Sequence, residues 1–553
     1  MDEYLAKRAA LIAEDRVGRL DSGRREFYTA DSEKADGIVR RIRAAEAISV
    51  WGADNKAVDG ADDATHLFPG MAFLTARELI VKTKLFKIMS KLPKGSLLHA
   101  HLDATVNARV LLDIALKYPA FHVRSSSALS EATLKTVQPE FNPLAPSAWT
   151  EHRSLTNASY TPGTWVPLQD ARRNFAFGGP EGFDQWVLGA LTISPAEAYR
   201  THNTTSKIWD KFTSTFLTSS GLIHYMPVWE QYVRTFLLSS IEDGISYIEV
   251  RVNFWHKLML DADGGETITH REWLSVFDRV TNEVKASMAQ QSRADEFVGC
   301  KIIYTTLRFI TPEELVWYTE DCITLKKEFP HLIAGFDLVG HEDSLKPLID
   351  YFVPLTEFVE RQKEEGVEIP FIFHAGETLG DGTPADVNLY DAILLGTKRI
   401  GHGFSLIKHP KLMQICREKN IAVETCPISN EILRLTSSMP MHPLPAVINH
   451  GVPVTLCSDD PSAFGNMGLS YDFFQVLVAS ETNGLHTMGC LARDSFKYTC
   501  LTDEEKAQAM TSWDKQWSKF IQWVVEEEGF VEVPEEAQPS STDFTNLRRL
   551  KKA

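Results

Sequence analysis

A regular alternation of short apolar strands with helix-sized segments constrains the fold of this chain most strongly. The segment 370–373 offers no polar face, which is typical of a parallel strand covered by helices. Eight strands alternating with helices predict an α/β fold, the closed (β/α)8 TIM barrel. The eight candidate strands are 96–102, 245–252, 300–305, 332–338, 370–373, 399–402, 421–426 and 452–457.

The remaining segments predict additions to this barrel, which we expect to occupy 93–530. Residues 1–92 are rich in Ala, Leu, Arg and Glu and predict an N-terminal helical region. Repeated prolines interrupt 104–245, and a structureless loop of that length is improbable, so we predict an inserted subdomain of helices and turns over the barrel mouth. Residues 503–528 predict a helix pair, and the Pro-, Glu- and Ser-containing tail 531–553 predicts disorder.

Charge and composition exclude some classes of binding partner and indicate the cellular compartment. The net charge of −17 over 553 residues argues against nucleic-acid and anionic-membrane partners. The N-terminus shows no signal-peptide core, and no apolar stretch approaches the ~20 residues of a membrane span. None of the seven cysteines forms a CxxC pair, which disfavours a disulfide scaffold. We therefore expect a cytoplasmic protein.

Histidines and a carboxylate stand at the C-terminal ends of three predicted strands. His99 and His101 end the first strand, and residues two apart on a strand point the same way. His374 ends the fifth strand and Asp459 follows the eighth. Three neutral imidazoles and one carboxylate suit a single zinc ion with an open position for water.

Further polar residues at the same edge suggest the chemistry. Zinc lowers the pKa of bound water toward ~7, and His402, after the sixth strand, could hold or deprotonate that water. Glu377 could protonate a ring nitrogen while the adjacent carbon is attacked. Asp460 follows a predicted ligand and could bind a substrate nitrogen. The pattern predicts hydrolytic substitution at an activated carbon, of which deamination is one instance.

The order HxH, HAGE, GHG and SDDP, each at a strand end, resembles the adenosine deaminase superfamily of metal-dependent hydrolases. The resemblance is strongest to the adenosine deaminase-related growth factor subgroup, the extracellular-type adenosine deaminases. It spans roughly residues 70 to 525 and includes the runs 91–99, 220–225, 334–343, 426–430 and 468–473.

This resemblance implies an activity and a role for each site residue. It implies deamination of adenosine, and of 2′-deoxyadenosine, to inosine and ammonia by a homodimer whose N-terminal helical region forms the contact. One Zn²⁺ per subunit would be held by His99, His101, His374 and Asp459, with Glu377 as the proton donor to purine N1 and His402 handling the water. The implied substrate contacts are Asp460 at N7, the Gly340 N–H at N3, Trp209 in a lining segment, and Asp103.

Two departures from the subgroup concern the ribose end of the substrate. Leu102 stands where the subgroup has an Asp, and Asp103 follows, as in ordinary adenosine deaminases, where the Asp contacts the ribose 5′-hydroxyl. Leu307 stands where the subgroup carries a substrate-contacting His. A related substrate, such as AMP, adenine or a modified adenine nucleoside, is therefore an alternative.

Other residues bear on the AMP alternative and on one further alternative. An AMP deaminase needs basic residues at the mouth to pair with phosphate, and Lys94, Arg172 and Arg173 are the candidates. A non-catalytic, growth-factor-like binding protein would tolerate a degraded site. Every catalytic position here is filled by a competent residue, which argues against that class.

Overall fold

The computed structural model describes residues 1–24, 27–52 and 67–527, so the predicted tail lies outside the described residues. Its strands are Gly95–Leu97 (β1), Phe121–Ser125 (β2), Pro139–Pro143 (β3), Val166–Pro167 (β4), Ile245–Asn253 (β5), Leu258–Leu260 (β6), Glu266–Thr269 (β7), Gly299–Leu307 (β8), Ile333–Val339 (β9), Ile372–Ala375 (β10), Arg399–His402 (β11), Ala422–Thr425 (β12) and Val454–Leu456 (β13). Its helices are Asp2–Val17 (α1), Ala30–Ser49 (α2), Phe73–Ile80 (α3), Lys84–Lys91 (α4), Ala108–Ala115 (α5), Leu168–Arg173 (α6), Gly179–Leu191 (α7), Thr205–Ile223 (α8), Met226–Glu242 (α9), His270–Gln290 (α10), Pro312–Glu328 (α11), Phe352–Glu365 (α12), Pro384–Leu394 (α13), Pro410–Lys419 (α14), Pro427–Ile432 (α15), Leu444–Asn449 (α16), Pro461–Phe464 (α17), Ser470–Val478 (α18), Leu485–Asp494 (α19) and Asp503–Glu527 (α20).

Eight parallel strands form a closed barrel. They fall into two four-stranded runs, β1-β5-β8-β9 and β10-β11-β12-β13. Two isolated parallel bridges join the runs, Phe336 to Phe371 on one side and Ala100 to Asp459 on the other. Each predicted strand corresponds to one barrel strand, and the predicted (β/α)8 fold is confirmed.

The helices between the barrel strands begin at clear local signals. Thr269 and Thr311 cap α10 and α11, each paired with a Glu three residues later in a capping box. Pro312, at the first position of α11, has no N–H to leave unsatisfied there. These helices pack outside the barrel, and each one connects a barrel strand to the next.

The inserted segment contains a small sheet that the sequence did not predict. Helices α5 to α9 accompany an antiparallel sheet of order β3-β2-β4. The prolines Pro139, Pro143 and Pro167 lie on its two outer strands, where a missing N–H costs no ladder hydrogen bond. The prediction of helices and turns for this segment therefore omitted a sheet. The limits 93–530 and 104–245 remain predictions.

The two ends of the described chain are helical. Helices α1 to α4 precede the barrel, and α20 is one helix rather than the predicted pair. No glycine or proline interrupts 503–527, so nothing in the sequence ends the helix early. Trp513 and Trp517 stack at 5.2 Å on α20, and Phe27 packs edge-on against both rings. In the described residues, no helix has the length and apolar composition needed to cross a bilayer.

Candidate metal centre and active site

The four predicted metal ligands lie together at the C-terminal edge of the barrel. The donor atoms of His99, His101, His374 and Asp459 all lie within 4.8 Å of one another. Asp459 Oδ1 is 3.2 Å from His99 Nε2 and 3.3 Å from His101 Nε2. The rings of His99 and His374 are 4.5 Å apart between centroids. Because strands β1, β10 and β13 end at one edge, residues far apart in sequence meet there.

The chemistry of this donor set fits a zinc ion. His99 Nδ1 is 2.8 Å from a carboxylate oxygen of Glu424, so its proton lies there and Nε2 carries a lone pair. That buried Nε2 has no hydrogen-bond partner among the described residues, although the Asp459 carboxylate is close. A metal cation between these two electron-rich atoms would stabilise both. Three nitrogens and one carboxylate oxygen are a common zinc set.

Asp459 is ionised and held rigidly. Burial raises its pKa, but His402, His101 and His99 outweigh this and hold the pKa well below its usual range. Its backbone takes a positive φ of 59°, with Asp459 N–H donating to His99 O and His101 N–H donating to Asp459 O. This pair of hydrogen bonds joins the first barrel strand to the last. The carboxylate therefore faces the histidines without freedom to turn away.

Carboxylates orient the histidine ligands. The Nδ1 of His374 is 2.7 Å from Asp337 Oδ2, and the Nδ1 of His99 contacts Glu424. A proton on each Nδ1 leaves each Nε2 lone pair free for a metal. Burial, followed by the neighbouring His99 and Arg251 side chains, lowers the pKa of His374 well below its usual value, so this ring is neutral.

A fully buried ion network supports these carboxylates inside the barrel. Arg251 donates to Asp337 and to Glu424, each at 2.8 Å, and Arg399 contacts Glu424 at 2.5 Å and Glu249 at 2.8 Å. Burial opposes ionisation of Glu424, but the two arginines hold its pKa well below the usual range. Sequence reasoning missed this network. The available signal was five charged residues inside otherwise apolar strands, because such residues are rarely buried unless paired.

Gly401 lies directly against the ligands. A Cβ at this position would meet His99 Cε1 at 3.0 Å and His374 Cα at 3.2 Å. Both contacts are tighter than ordinary van der Waals separations. The glycine of the GHG run therefore makes room for two metal ligands.

Glu377 is buried beside the metal cluster, and hydrogen bonds from its backbone segment to Glu342 fix its position. Glu342 accepts hydrogen bonds from the N–H groups of Gly376 at 3.2 Å and Glu377 at 3.0 Å. The Glu377 Oε1 atom has no hydrogen-bond partner within the described ranges. Burial, and then the charges of Asp459 and Glu342, raise the pKa of Glu377 well above its usual value. Burial and the neighbouring carboxylates therefore favour the protonated form of this side chain.

His402 lies between this acid and the ligand carboxylate. Its Nδ1 is 3.5 Å from Glu377 Oε1, and its Nε2 is 3.7 Å from Asp459 Oδ2. Burial lowers its pKa to about 3, so the imidazole is neutral. Asn430 Nδ2 lies 3.1 Å from His402 Nδ1, a contact that the sequence did not predict.

Two predicted substrate residues, the buried Asp460 and the half-buried Asp103, are carboxyls that lie near one another. Asp103 lies in a 3-10 turn, Leu102–Ala104, directly after the first strand. The Oδ1 atom of Asp460 has no hydrogen-bond partner in the described part of the chain. Burial, and then the charges of Asp459 and Asp103, raise the pKa of Asp460 well above its usual value. A cleft beside Asp103 is lined by Thr215 and Ser219 of α8.

The other two predicted substrate residues meet at the loop after β9. Trp209, on α8, stacks on His341 with a centroid distance of 4.3 Å and an angle of 10°. Gly340, the residue before His341, has a φ of 117°, which favours glycine. The inserted segment and the fourth barrel strand thus share one wall of the mouth.

A closed (β/α)8 barrel with this donor set at its mouth is the architecture of the metal-dependent hydrolase type. The adenosine deaminase family model matches residues 189–516. Human adenosine deaminase 2 is 34% identical over 82% of this chain and 83% of its own length. Two solved structures share the fold. An adenine deaminase from Arthrobacter aurescens is 16% identical with a TM-score of 0.51, and the match covers 77% of this chain and 99% of that one. An N6-methyl-AMP deaminase from Arabidopsis thaliana is 15% identical with a TM-score of 0.51, and the match covers 78% of this chain and 99% of that one.

The chain belongs to the adenosine deaminase family. Its similarity to adenosine deaminase 2 extends well beyond the family model, over most of both chains. The predicted resemblance is therefore confirmed at the level of the family and of its adenosine deaminase 2 members.

Proposed function

We propose that this protein is a zinc-dependent adenosine deaminase, which hydrolyses adenosine and 2′-deoxyadenosine to inosine and ammonia. The observation that carries the proposal is the ligand cluster of His99, His101, His374 and Asp459 beside the buried acid Glu377. Membership of the adenosine deaminase family, with a human relative named adenosine deaminase 2, supports the choice of reaction.

The metal would be held by the four clustered ligands, one ion per subunit. When bound, zinc supplies Lewis-acid activation of a water molecule. Asp337 and Glu424 keep the protons of His374 and His99 on Nδ1, so both Nε2 atoms face the ion.

The remaining residues would act on the purine. Glu377 would donate a proton to N1 while C6 gains the oxygen of a water molecule that His402 orients. Of the two protons of that water, one would leave with the amino group as ammonia and the other would return to Glu377. N7 and N3 of adenine are hydrogen-bond acceptors, so each needs a donor. Asp460, whose raised pKa favours the protonated form, would supply a donor for N7, and the Gly340 N–H would supply one for N3.

The basic residues that a nucleotide would need are engaged elsewhere, which favours a nucleoside substrate. Lys94 is buried at the start of β1, at the opposite end of the barrel from the site, where it donates to Leu92 O. Arg172 makes a bidentate ion pair with Asp184 at 2.7 and 2.9 Å. Arg173 lies 3.6 Å from a carboxylate oxygen of Asp170. Lys94 and Arg172 therefore already have close partners, and Arg173 lies near a carboxylate.

A substrate panel tests the proposal. We expect zinc-loaded protein to turn over adenosine and 2′-deoxyadenosine with higher kcat/KM than AMP or adenine. Faster turnover of AMP than of adenosine would show the proposal to be wrong. Inactivity on all four substrates would favour the binding-protein alternative.

Glu377→Gln tests the assigned proton donor. The amide keeps the shape of the side chain but cannot transfer the proton, so kcat should fall by about 10²- to 10⁴-fold with zinc retained. Glu431→Gln, another buried glutamate, contacts Tyr199 and the Phe73 N–H and serves as the matched control with unchanged kcat at neutral pH. Unchanged turnover of Glu377→Gln would remove Glu377 from the mechanism.

We also propose a cytoplasmic homodimer. All seven cysteines are free, which supports a reducing compartment. Helix α1 has no buried residue, and it exposes Tyr4, Leu11 and Val17, which supports a contact with a second copy. Light scattering should report twice the chain mass for the wild type and a shift toward the monomer for Leu11→Asp. An unshifted dimer would exclude α1 from the interface.

A further inference from the structure

A line of three hydrogen bonds leads away from His402, on the side opposite the metal ligands. Asn430 Nδ2 is 3.1 Å from His402 Nδ1. Asn430 Oδ1 is 3.0 Å from His442 Nε2, and the backbone N–H of Leu444 donates to His442 Nδ1 at 3.0 Å. The side chains of His402, Asn430 and His442 are all buried. Water therefore does not compete for these contacts.

The Leu444 end fixes the direction of the whole line. A backbone N–H can only donate, so His442 Nδ1 must accept. Burial lowers the pKa of His442 to about 3, so the ring is neutral and carries its single proton on Nε2. That proton is donated to Asn430, which must accept through Oδ1.

The amide orientation then decides the state of His402. With Oδ1 of Asn430 facing His442, the amide N–H groups face His402 Nδ1, which must accept. A neutral imidazole whose Nδ1 accepts carries its proton on Nε2. Glu377 Oε1, at 3.5 Å from the same Nδ1, is too far away for a hydrogen bond that would reverse this choice.

We propose that Asn430 and His442 are positioning residues that hold His402 with its proton on Nε2. His402 then presents an N–H to the metal-facing cavity, where its Nε2 lies 3.7 Å from Asp459 Oδ2. In the resting enzyme it holds the attacking oxygen by donating a hydrogen bond and does not accept that oxygen's proton. This inference rests on the proposed function, because only there does His402 meet an attacking water.

The reversed arrangement is disfavoured by the same contacts. Turning the Asn430 amide over would bring its N–H groups against the His442 Nε2–H and its oxygen against His402 Nδ1. Two buried donors would then oppose each other, and His402 would have to move its proton to Nδ1. Buried polar groups without a hydrogen-bond partner are costly. The contacts of Asn430 and His442 therefore determine the tautomer of His402.

Neutron diffraction from the zinc-loaded, perdeuterated protein observes the tautomer directly. We expect a deuteron on Nε2 and none on Nδ1 of His402 in the wild type. In Asn430→Asp a carboxylate oxygen replaces the amide donor, and a deuteron should appear on Nδ1. Because the water then loses its oriented donor, kcat should fall by about 10²-fold while KM and zinc content stay unchanged.

His442 provides a second pair of variants with a rescue. His442→Leu removes the donor to Asn430 and should lower kcat in the same way. His442→Gln replaces it with an amide N–H and should restore kcat relative to His442→Leu. This comparison also decides the matter if Asn430→Asp fails to fold. A merely structural role for His442 would lower stability in both variants without separating their kcat values.

Ser429→Ala is the matched control on the same helix. Its hydroxyl is buried and has no hydrogen-bond partner among the described residues, so the tautomer and kcat should not change. A wild-type deuteron on Nδ1, or equal kcat for Asn430→Asp and wild type, would overturn the inference. A deuteron on Nε2 in a protein without deaminase activity would support the tautomer assignment and refute the proposed function.

Discussion

Replacing Asp337 with asparagine should prevent His374 from binding the metal, although Asp337 is not itself a predicted ligand. Asp337 Oδ1 accepts from the N–H groups of His374 at 3.0 Å and Leu338 at 2.7 Å. Because both are donors, the amide oxygen of an asparagine must take this place, and its nitrogen must replace Oδ2. That nitrogen would face His374 Nδ1 and Arg251 Nε, both of which now donate to Oδ2. His374 must then move its proton to Nε2, the metal-binding atom.

The expected magnitude has two parts. Loss of an oriented outer contact of a ligand typically lowers metal affinity by about 10- to 100-fold, or about 1.4 to 2.7 kcal/mol. Arg251 also loses one of its two charged partners in a fully buried site. Removing one partner of a buried ion pair costs about 3 to 5 kcal/mol of stability, and the remaining contact with Glu424 places this case at the lower end.

Competition with a chromophoric chelator measures the zinc affinity of Asp337→Asn, and thermal unfolding with and without zinc measures stability. Glu249→Gln is the matched control, since Glu249 also pairs with a buried arginine, Arg399, but contacts none of the four ligands. The control should lose stability and keep its zinc affinity. Equal zinc affinity in Asp337→Asn and wild type would refute the reasoning.

Two further predictions concern packing and pH. Gly401→Ala would bring a methyl group to 3.0 Å from His99 Cε1, so zinc affinity should fall. The same competition titration measures this affinity. Unchanged affinity would mean that the ligands shift freely. Burial raises the pKa of Glu431 from 4.5 to about 7, so the folded protein binds more protons than the unfolded chain between these values. Stability should therefore fall by about 3 kcal/mol as pH rises from 4.5 to 7, and urea unfolding should show this loss in the wild type and not in Glu431→Gln.

The barrel and the ligand cluster were predictable from sequence for a geometric reason. Strand periodicity puts His99 and His101 on one face, and parallel strands end at one edge, so His374 and Asp459 must lie near them. The small antiparallel sheet was not predictable in the same way, because prolines on outer strands look like strand breakers. The length of α20 was readable from its lack of glycine and proline, and the predicted helix pair did not take this into account.

The ion network inside the barrel and the contacts of Asn430 and His442 that position His402 could not be derived from the spacing of residues in the sequence. Arg251, Asp337 and Glu424 come from three different strands, and only the closed barrel brings their side chains together. Asn430 and His442 are separated by a loop with no periodicity that would relate them. A charged residue inside a buried strand indicates that a partner exists, but it does not identify the partner.

The bridge between Ala100 and Asp459 has a consequence for how the protein matures. It joins the first barrel strand to the last, and the metal ligands lie on both sides of that junction. A nascent chain that has not yet released β13 from the ribosome lacks both the closing strand and the carboxylate ligand. If the proposed zinc ion binds, the complete ligand set would be available only at the last stage of synthesis, and the ion would link the two ends of the barrel where they meet.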